Sequence, residues 1–155
     1  MKNFKFLFIY FLSLFLAGCG ILPFKTDIKE NHFRFENFQR DIGEYIYLMC
    51  YRQRPTRWDT PKQYLSGEHS LWIEANISDS KLLSFRKEAF VFFKVKLDSG
   101  KSYMLNRKLE GENISIWIQD VESGQKVSKV ITTDLKPAVF EKKAWRKKQC
   151  KSSSV

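Results

Sequence analysis

Histidine and cysteine are scarce in this chain, with two and three copies among 155 residues, and the scarcity removes much of the chemistry a small protein can perform. No H-E-x-x-H pair, Walker-type phosphate loop or dinucleotide-binding glycine pattern occurs. No G-x-S-x-G elbow holds a serine on the sharp turn a hydrolase needs. A triad drawn from Ser70, His69 and Asp120 has no such context, and a carboxylate pair for glycoside cleavage needs a placement that local spacing does not supply. His69 reads instead as a strand-entry residue that hydrogen-bonds locally. The sequence therefore predicts no enzyme, no catalytic residue, no cofactor and no metal site. A membrane-spanning run is lacking too. Phe6 to Leu16, broken only by Ser13, falls short of the roughly 20 apolar residues that cross a bilayer.

That short run has a different meaning in its setting, MKNFKFLFIYFLSLFLAGCG. Lys2 and Lys5 form a positive leader, the apolar segment follows, and small residues lead to a cysteine at Leu16-Ala17-Gly18-Cys19. The pattern resembles the lipobox of bacterial lipoproteins. In these the cysteine is diacylated, the peptide before it is removed, and the new amino terminus is acylated again with a chain such as palmitate. The resemblance implies a signal peptide over 1–18, lipidation at Cys19 and a membrane tether over 19–30. Three acyl chains hold far more firmly than one, whose binding is marginal and reversible. Gly20 stands where an Asp would retain a lipoprotein at the inner membrane. The expected location is the bacterial cell envelope, on an outer-membrane anchor facing the periplasm.

With Cys19 lipidated, Cys50 and Cys150 remain. In an oxidising compartment such a pair most simply forms one disulfide. It would close a loop of about 100 residues, to which chain entropy credits roughly 4 to 5 kcal/mol before native strain is subtracted. The competing readings are two free thiols, or a metal pair with His32 or His69, and the spacing offers little support for a metal.

Basic residues outnumber acidic ones by 27 to 17, giving a formal net charge of +10. In an envelope protein this charge points away from nucleic acid and toward anionic headgroups, lipopolysaccharide phosphates, acidic glycans or acidic proteins. Aromatic content is high, at 15%. Residues 31–150 are enough for one globular domain with its own core.

From Gly43 onward, alternation and turn residues predict strands at 44–51, 69–77, 89–98, 102–108, 113–121 and 125–132. The strongest is AFVFFKVKLD, with Val91, Phe93, Val95 and Leu97 on one face and Lys94 and Lys96 on the other. Asp98-Ser99-Gly100-Lys101 reads as a hairpin turn. The expected fold is all-β, an antiparallel sandwich or partly closed barrel of about six to eight strands, with a short peripheral or carboxyl-terminal helix. Asn31 to Ile42 is read as a capped helix, although His32 to Phe35 also alternates like a strand. Pro137 to Gln149 is read as a helix opened by its proline, and 151–155 as a flexible, frayed tail.

Within the domain, Leu65-Ser66-Gly67-Glu68-His69-Ser70-Leu71, the hairpin Gly100-Lys101-Ser102-Tyr103, and Trp117, Asp120 and Gly124 resemble the strand grammar of small uncharacterised bacterial lipoproteins. These have a β-sandwich-like periplasmic domain, and the resemblance brings no enzymatic activity with it.

Two clusters stand out as candidate binding residues. Arg52, Arg54, Arg57 and Trp58 lie between the first two predicted strands, beside Pro55, Pro61, Lys62 and Tyr64. Arginine pairs with phosphate and carboxylate, and tryptophan stacks on sugars or guanidinium groups. Lys143, Trp145, Arg146 and Lys147 form the second cluster, which a Cys50–Cys150 bond would draw toward the first. The expected function is a non-enzymatic, membrane-anchored accessory or protein-binding adaptor. The alternative is a binder of an anionic envelope ligand, lipopolysaccharide or acidic glycan, through this basic aromatic surface.

Overall fold

The computed structural model describes residues 27–36, 43–55, 62–78, 86–138 and 142–155. The expected signal peptide over 1–18, the expected lipidation site Cys19, and Arg57 and Trp58 lie outside these residues. In chain order the strands are β1 (His32–Glu36), β2 (Glu44–Leu48), β3 (Cys50–Tyr51), β4 (Arg54–Pro55), β5 (Lys62–Leu65), β6 (Gly67–Ser78), β7 (Arg86–Leu97), β8 (Ser102–Glu110), β9 (Asn113–Asp120), β10 (Ile131–Asp134) and β11 (Lys136–Pro137). Among the described residues one helix, α1 (Lys142–Cys150), follows them.

The strands form a first sheet in the order β10-β9-β8-β1-β5, a second in the order β11-β7-β6-β2, and a separate β3–β4 hairpin. Pairing is antiparallel except between β1 and β8, which run parallel. The two inner faces share one apolar core. Phe33 and Phe35, Leu71 and Ile73, Val91 and Phe93, and Ile114, Ile116 and Ile118 meet within it. Each set follows the two-residue period of a strand with one buried face. The architecture is an all-β sandwich, and the described strands do not close into a barrel.

Strands predicted over 69–77, 89–98, 102–108 and 113–121 correspond to β6 through β9. Elsewhere tertiary packing changes the local reading. Residues 32–36 are a strand, not a helix: Phe33 and Phe35 both enter the core, whereas a helix would set residues two apart on different faces. The strand predicted over 44–51 breaks at Met49, a fully buried residue whose N–H donates to the Trp72 carbonyl at 2.8 Å. The predicted strand at 125–132 is reduced to a bridge between Lys126 and Gln119, and regular pairing resumes at Ile131. Pro137 pairs with Lys87 in β11 and does not open the helix.

The carboxyl-terminal residues also depart from the frayed tail expected of them. The Ser154 N–H donates to the Ser70 carbonyl at 3.0 Å, and the Ser70 N–H donates to Ser154 Oγ at 3.0 Å. Ser153 is buried, and Val155 packs against the core. His69 holds the same junction, with Nε2 at 2.8 Å from the Leu65 carbonyl and Nδ1 at 3.0 Å from Ser154 Oγ.

Candidate binding surface

The second sheet has an outer face that alternation alone would leave to solvent. Tyr47, Glu74 and Phe90 lie in register across β2, β6 and β7, with Trp72 opposite Phe92 two register pairs along on the same face. Glu74 has no exposed surface, and Asn76 and Glu88 are buried. Helix α1 covers this face. Arg146 forms an ion pair with Glu74, and Lys142 donates to Glu88 Oε2 at 3.3 Å. Asn76 Nδ2 donates to the Tyr47 hydroxyl at 2.5 Å and to Glu74 Oε1 at 2.8 Å, while Arg86 Nε donates to Asn76 Oδ1 at 2.6 Å. Burial pushes the Tyr47 phenol above its ordinary value, and the nearby Arg146 and Arg86 charges partly oppose that shift.

The helix is fixed covalently as well. Cys50 and Cys150 form a disulfide with their Cα atoms 5.3 Å apart, and both cysteines are fully buried beside Met49. Trp72 and Phe90 pack against that small second core.

The four helix candidates therefore divide. Arg146 is turned onto the sheet, Trp145 is 37% exposed against Trp72 and Phe90, and Lys143 and Lys147 face solvent. The basic cluster is consequently smaller as a surface than as a sequence.

The other cluster centres on the β3–β4 hairpin. Tyr51 pairs with Arg54, leaving Arg52 and Gln53 as the turn, with φ of 51° and 59°. Both turn residues occupy the left-handed region that such a hairpin usually fills with Asn-Gly. The Arg52 guanidinium lies 5.3 Å from the centre of the Tyr51 ring, and Lys62 Nζ lies 4.6 Å from it. Tyr51, Arg52, Arg54 and Pro55 line a surface hollow of about 490 Å³. A neighbouring hollow of about 430 Å³ is bordered by Tyr51, Arg52, Tyr64 and Leu65 together with His69 and the docked tail. Tyr64 is buried in the wall, and burial pushes its phenol well above the ordinary range. Leu65, at the edge of the first sheet, is 65% exposed.

The disulfide brings the two clusters to one end of the sandwich, with α1 alongside β4. Arg52 and Arg54 thus share a corner with the helix that carries Lys143, Trp145 and Lys147. Sequence reasoning passed over Tyr51 and Leu65 as binding residues, and it passed over the face formed by Trp72, Glu74 and Phe90. The available signal was Trp72-x-Glu74-x-Asn76, a strand face opposite Leu71, Ile73 and Ala75 that mixes a large ring with groups able to bond a covering element.

Comparison with protein-family models, curated proteins and solved structures finds no match to this chain.

Proposed function

We propose that the chain is a non-enzymatic, membrane-anchored envelope lipoprotein whose β-sandwich acts as an accessory or protein-binding adaptor. Its anchor is the acylated Cys19, and Gly20 in place of Asp favours an outer-membrane tether facing the periplasm. The observation that carries the adaptor reading is Leu65, 65% exposed on an edge strand beside the Tyr51, Arg52 and Tyr64 hollow. Tyrosine and arginine are enriched in protein interfaces, and an exposed aliphatic side chain beside them adds apolar area for a partner to cover. The hairpin beside it is bonded to the rest of the domain through Cys50 and Cys150, so little ordering is left to be done on binding.

A second reading has its own support in the corner shared by Arg52, Arg54, Lys143 and Lys147. An anionic envelope ligand, lipopolysaccharide or acidic glycan, suits those charges. Arg146 drops out of that set because Glu74 neutralises it.

Mild crosslinking of the lipidated protein in its native envelope separates the two. A discrete protein partner that is retained at raised ionic strength and lost with Leu65→Asp supports the adaptor. Lipopolysaccharide or glycan lost with Arg52→Glu/Arg54→Glu, and weakened steeply by salt, supports the second reading.

A further inference from the structure

Beside the helix, the outer face of the second sheet carries a line of rings that lies outside the sandwich core and runs along the sheet from the Cys50–Cys150 junction, against which Trp72 and Phe90 pack. Phe90 and Trp145 have centroids 4.9 Å apart, Trp145 and Trp72 5.6 Å, and Trp72 and Phe92 5.1 Å. Trp145 is 37% exposed, and Trp72, Phe90 and Phe92 are half-buried. The line continues into charge. Lys94 and Lys96 follow Phe92 on the same face of β7 at strand spacing, and both are exposed. Lys148, also exposed, lies one helical turn from Trp145 on the same flank of α1.

The acidic residues near this line leave it a positive balance, with Glu68 offsetting part of the charge of one of the three lysines. Glu74 and Glu88 are buried and engaged by Arg146 and Lys142. Glu68, across from Lys96 on β6, is the one exposed acid on these register pairs. The face thus presents tryptophan and phenylalanine rings flanked by three lysines, and neither hollow of the hairpin corner reaches it.

We propose that this face, formed by Trp72, Phe92, Lys94, Lys96, Trp145 and Lys148, rests on an anionic lipid surface and sets the orientation of the domain on its membrane. The proposal rests on the lipoprotein reading for the tether. Trp rings place an apolar body at the headgroup boundary with a polar N–H at its edge, and lysines beside them are drawn to anionic headgroups. The tether keeps the domain close to the bilayer, so a contact too weak to recruit a free protein still orients a tethered one. The Cys50–Cys150 bond fixes Trp145 relative to Trp72 and Phe92, so the face meets the membrane as one unit.

The test uses the full lipidated protein with Trp58→Phe and Trp117→Phe, which leaves emission from Trp72 and Trp145. It is reconstituted in vesicles of brominated phosphatidylcholine, alone or with one-third phosphatidylglycerol. We expect about twofold stronger quenching in the anionic vesicles, lost at high salt and with Lys94→Glu/Lys96→Glu. Equal quenching in the two compositions, or quenching indifferent to the lysine changes, overturns the docking. Co-sedimentation with pure phosphatidylcholine vesicles reports the tether separately. A protein that sediments without composition-dependent quenching refutes the docking alone. One that fails to sediment refutes the anchor, and quenching confined to anionic vesicles then still supports the face. Emission that is the same for the lysine variant and its parent without lipid verifies that the variant is folded.

Discussion

Arg146 in the carboxyl-terminal helix is ion-paired with Glu74, a carboxylate with no exposed surface at the centre of β6. The pair ties the last element of the chain to the longest strands of the second sheet. Glu74 is tolerable there only because Arg146 and Asn76 compensate its charge. Removing one partner leaves the other without compensation, so Arg146→Ala should destabilise the protein by about 3 kcal/mol. Replacing both, as Arg146→Met with Glu74→Leu, should recover most of that loss. Urea unfolding midpoints of the single and double variants measure both effects. A single variant as stable as wild type would show that the pair does not hold the helix.

The disulfide and the ion pair hold the same helix from adjacent positions, and they act differently. Cys50–Cys150 spans 100 residues of sequence, so its main effect is on the unfolded chain. Cys150→Ser should lower stability by about 2 to 4 kcal/mol, with the sheets retained. Circular dichroism should keep its β signal, while proteolysis should reach the segment around α1 first. Loss of the β signal at ambient temperature would show that the sandwich itself needs the bond.

These two bonds also explain which parts of the fold were legible in the sequence. Strands β6 to β9 announce themselves because one face of each enters a common core, and that alternation is local. The opposite face of β6 gives no such signal. Glu74 and Asn76 look like solvent-facing residues until Arg146, seventy-two positions later, arrives above them. The parallel pairing of β1 with β8 is likewise non-local, and it makes a strand of residues whose nearby Asn31 and Gly43 suggest a helix. Pro137 suggests a helix start in sequence but pairs with Lys87, because a proline that can open a helix can also sit in a short edge strand. Of the candidate site, the arginines and the helix lysines were visible as a cluster. The burial of Arg146 and the exposure of Leu65 were not, since each depends on a neighbouring element.

Gly43 sits where β2 begins, with φ of 91° and its carbonyl accepting the Ser78 N–H at 2.8 Å. A Cβ at this position would collide with the Ser78 backbone carbonyl. Gly43→Ala therefore combines conformational strain with a clash and should cost more than about 2 kcal/mol. Gly100 makes the comparison informative. Its φ is 75°, but a Cβ there meets nothing within 4 Å. Gly100→Ala should cost only about 1 kcal/mol, from strain alone. Thermal melts of the two variants should preserve that order, and the reverse order would remove the close approach at Ser78 as a constraint.

Acid should act on the turn after β9. Asp120 Oδ1 accepts the Ser123 N–H at 2.7 Å, the Ser123 hydroxyl at 2.9 Å and the Glu122 N–H at 3.0 Å, and Lys101 Nζ lies 3.5 Å from Oδ2. The Ser123 N–H is the largest influence holding the carboxyl below its ordinary 3.8, while burial pushes the other way. With the folded value depressed, the unfolded chain binds the proton more readily. The stabilisation is therefore complete above the unfolded value and is lost as pH falls through the folded one. Asp120→Asn keeps the shape of the side chain but removes its charge. The stability gap between wild type and this variant should be constant from neutral pH to about pH 5 and then close as the solution becomes more acidic. Urea midpoints at stepped pH give the gap directly. A gap that persists unchanged well below 3.8 would mean that the shape of the turn, and not the charge of Asp120, holds this end of the first sheet.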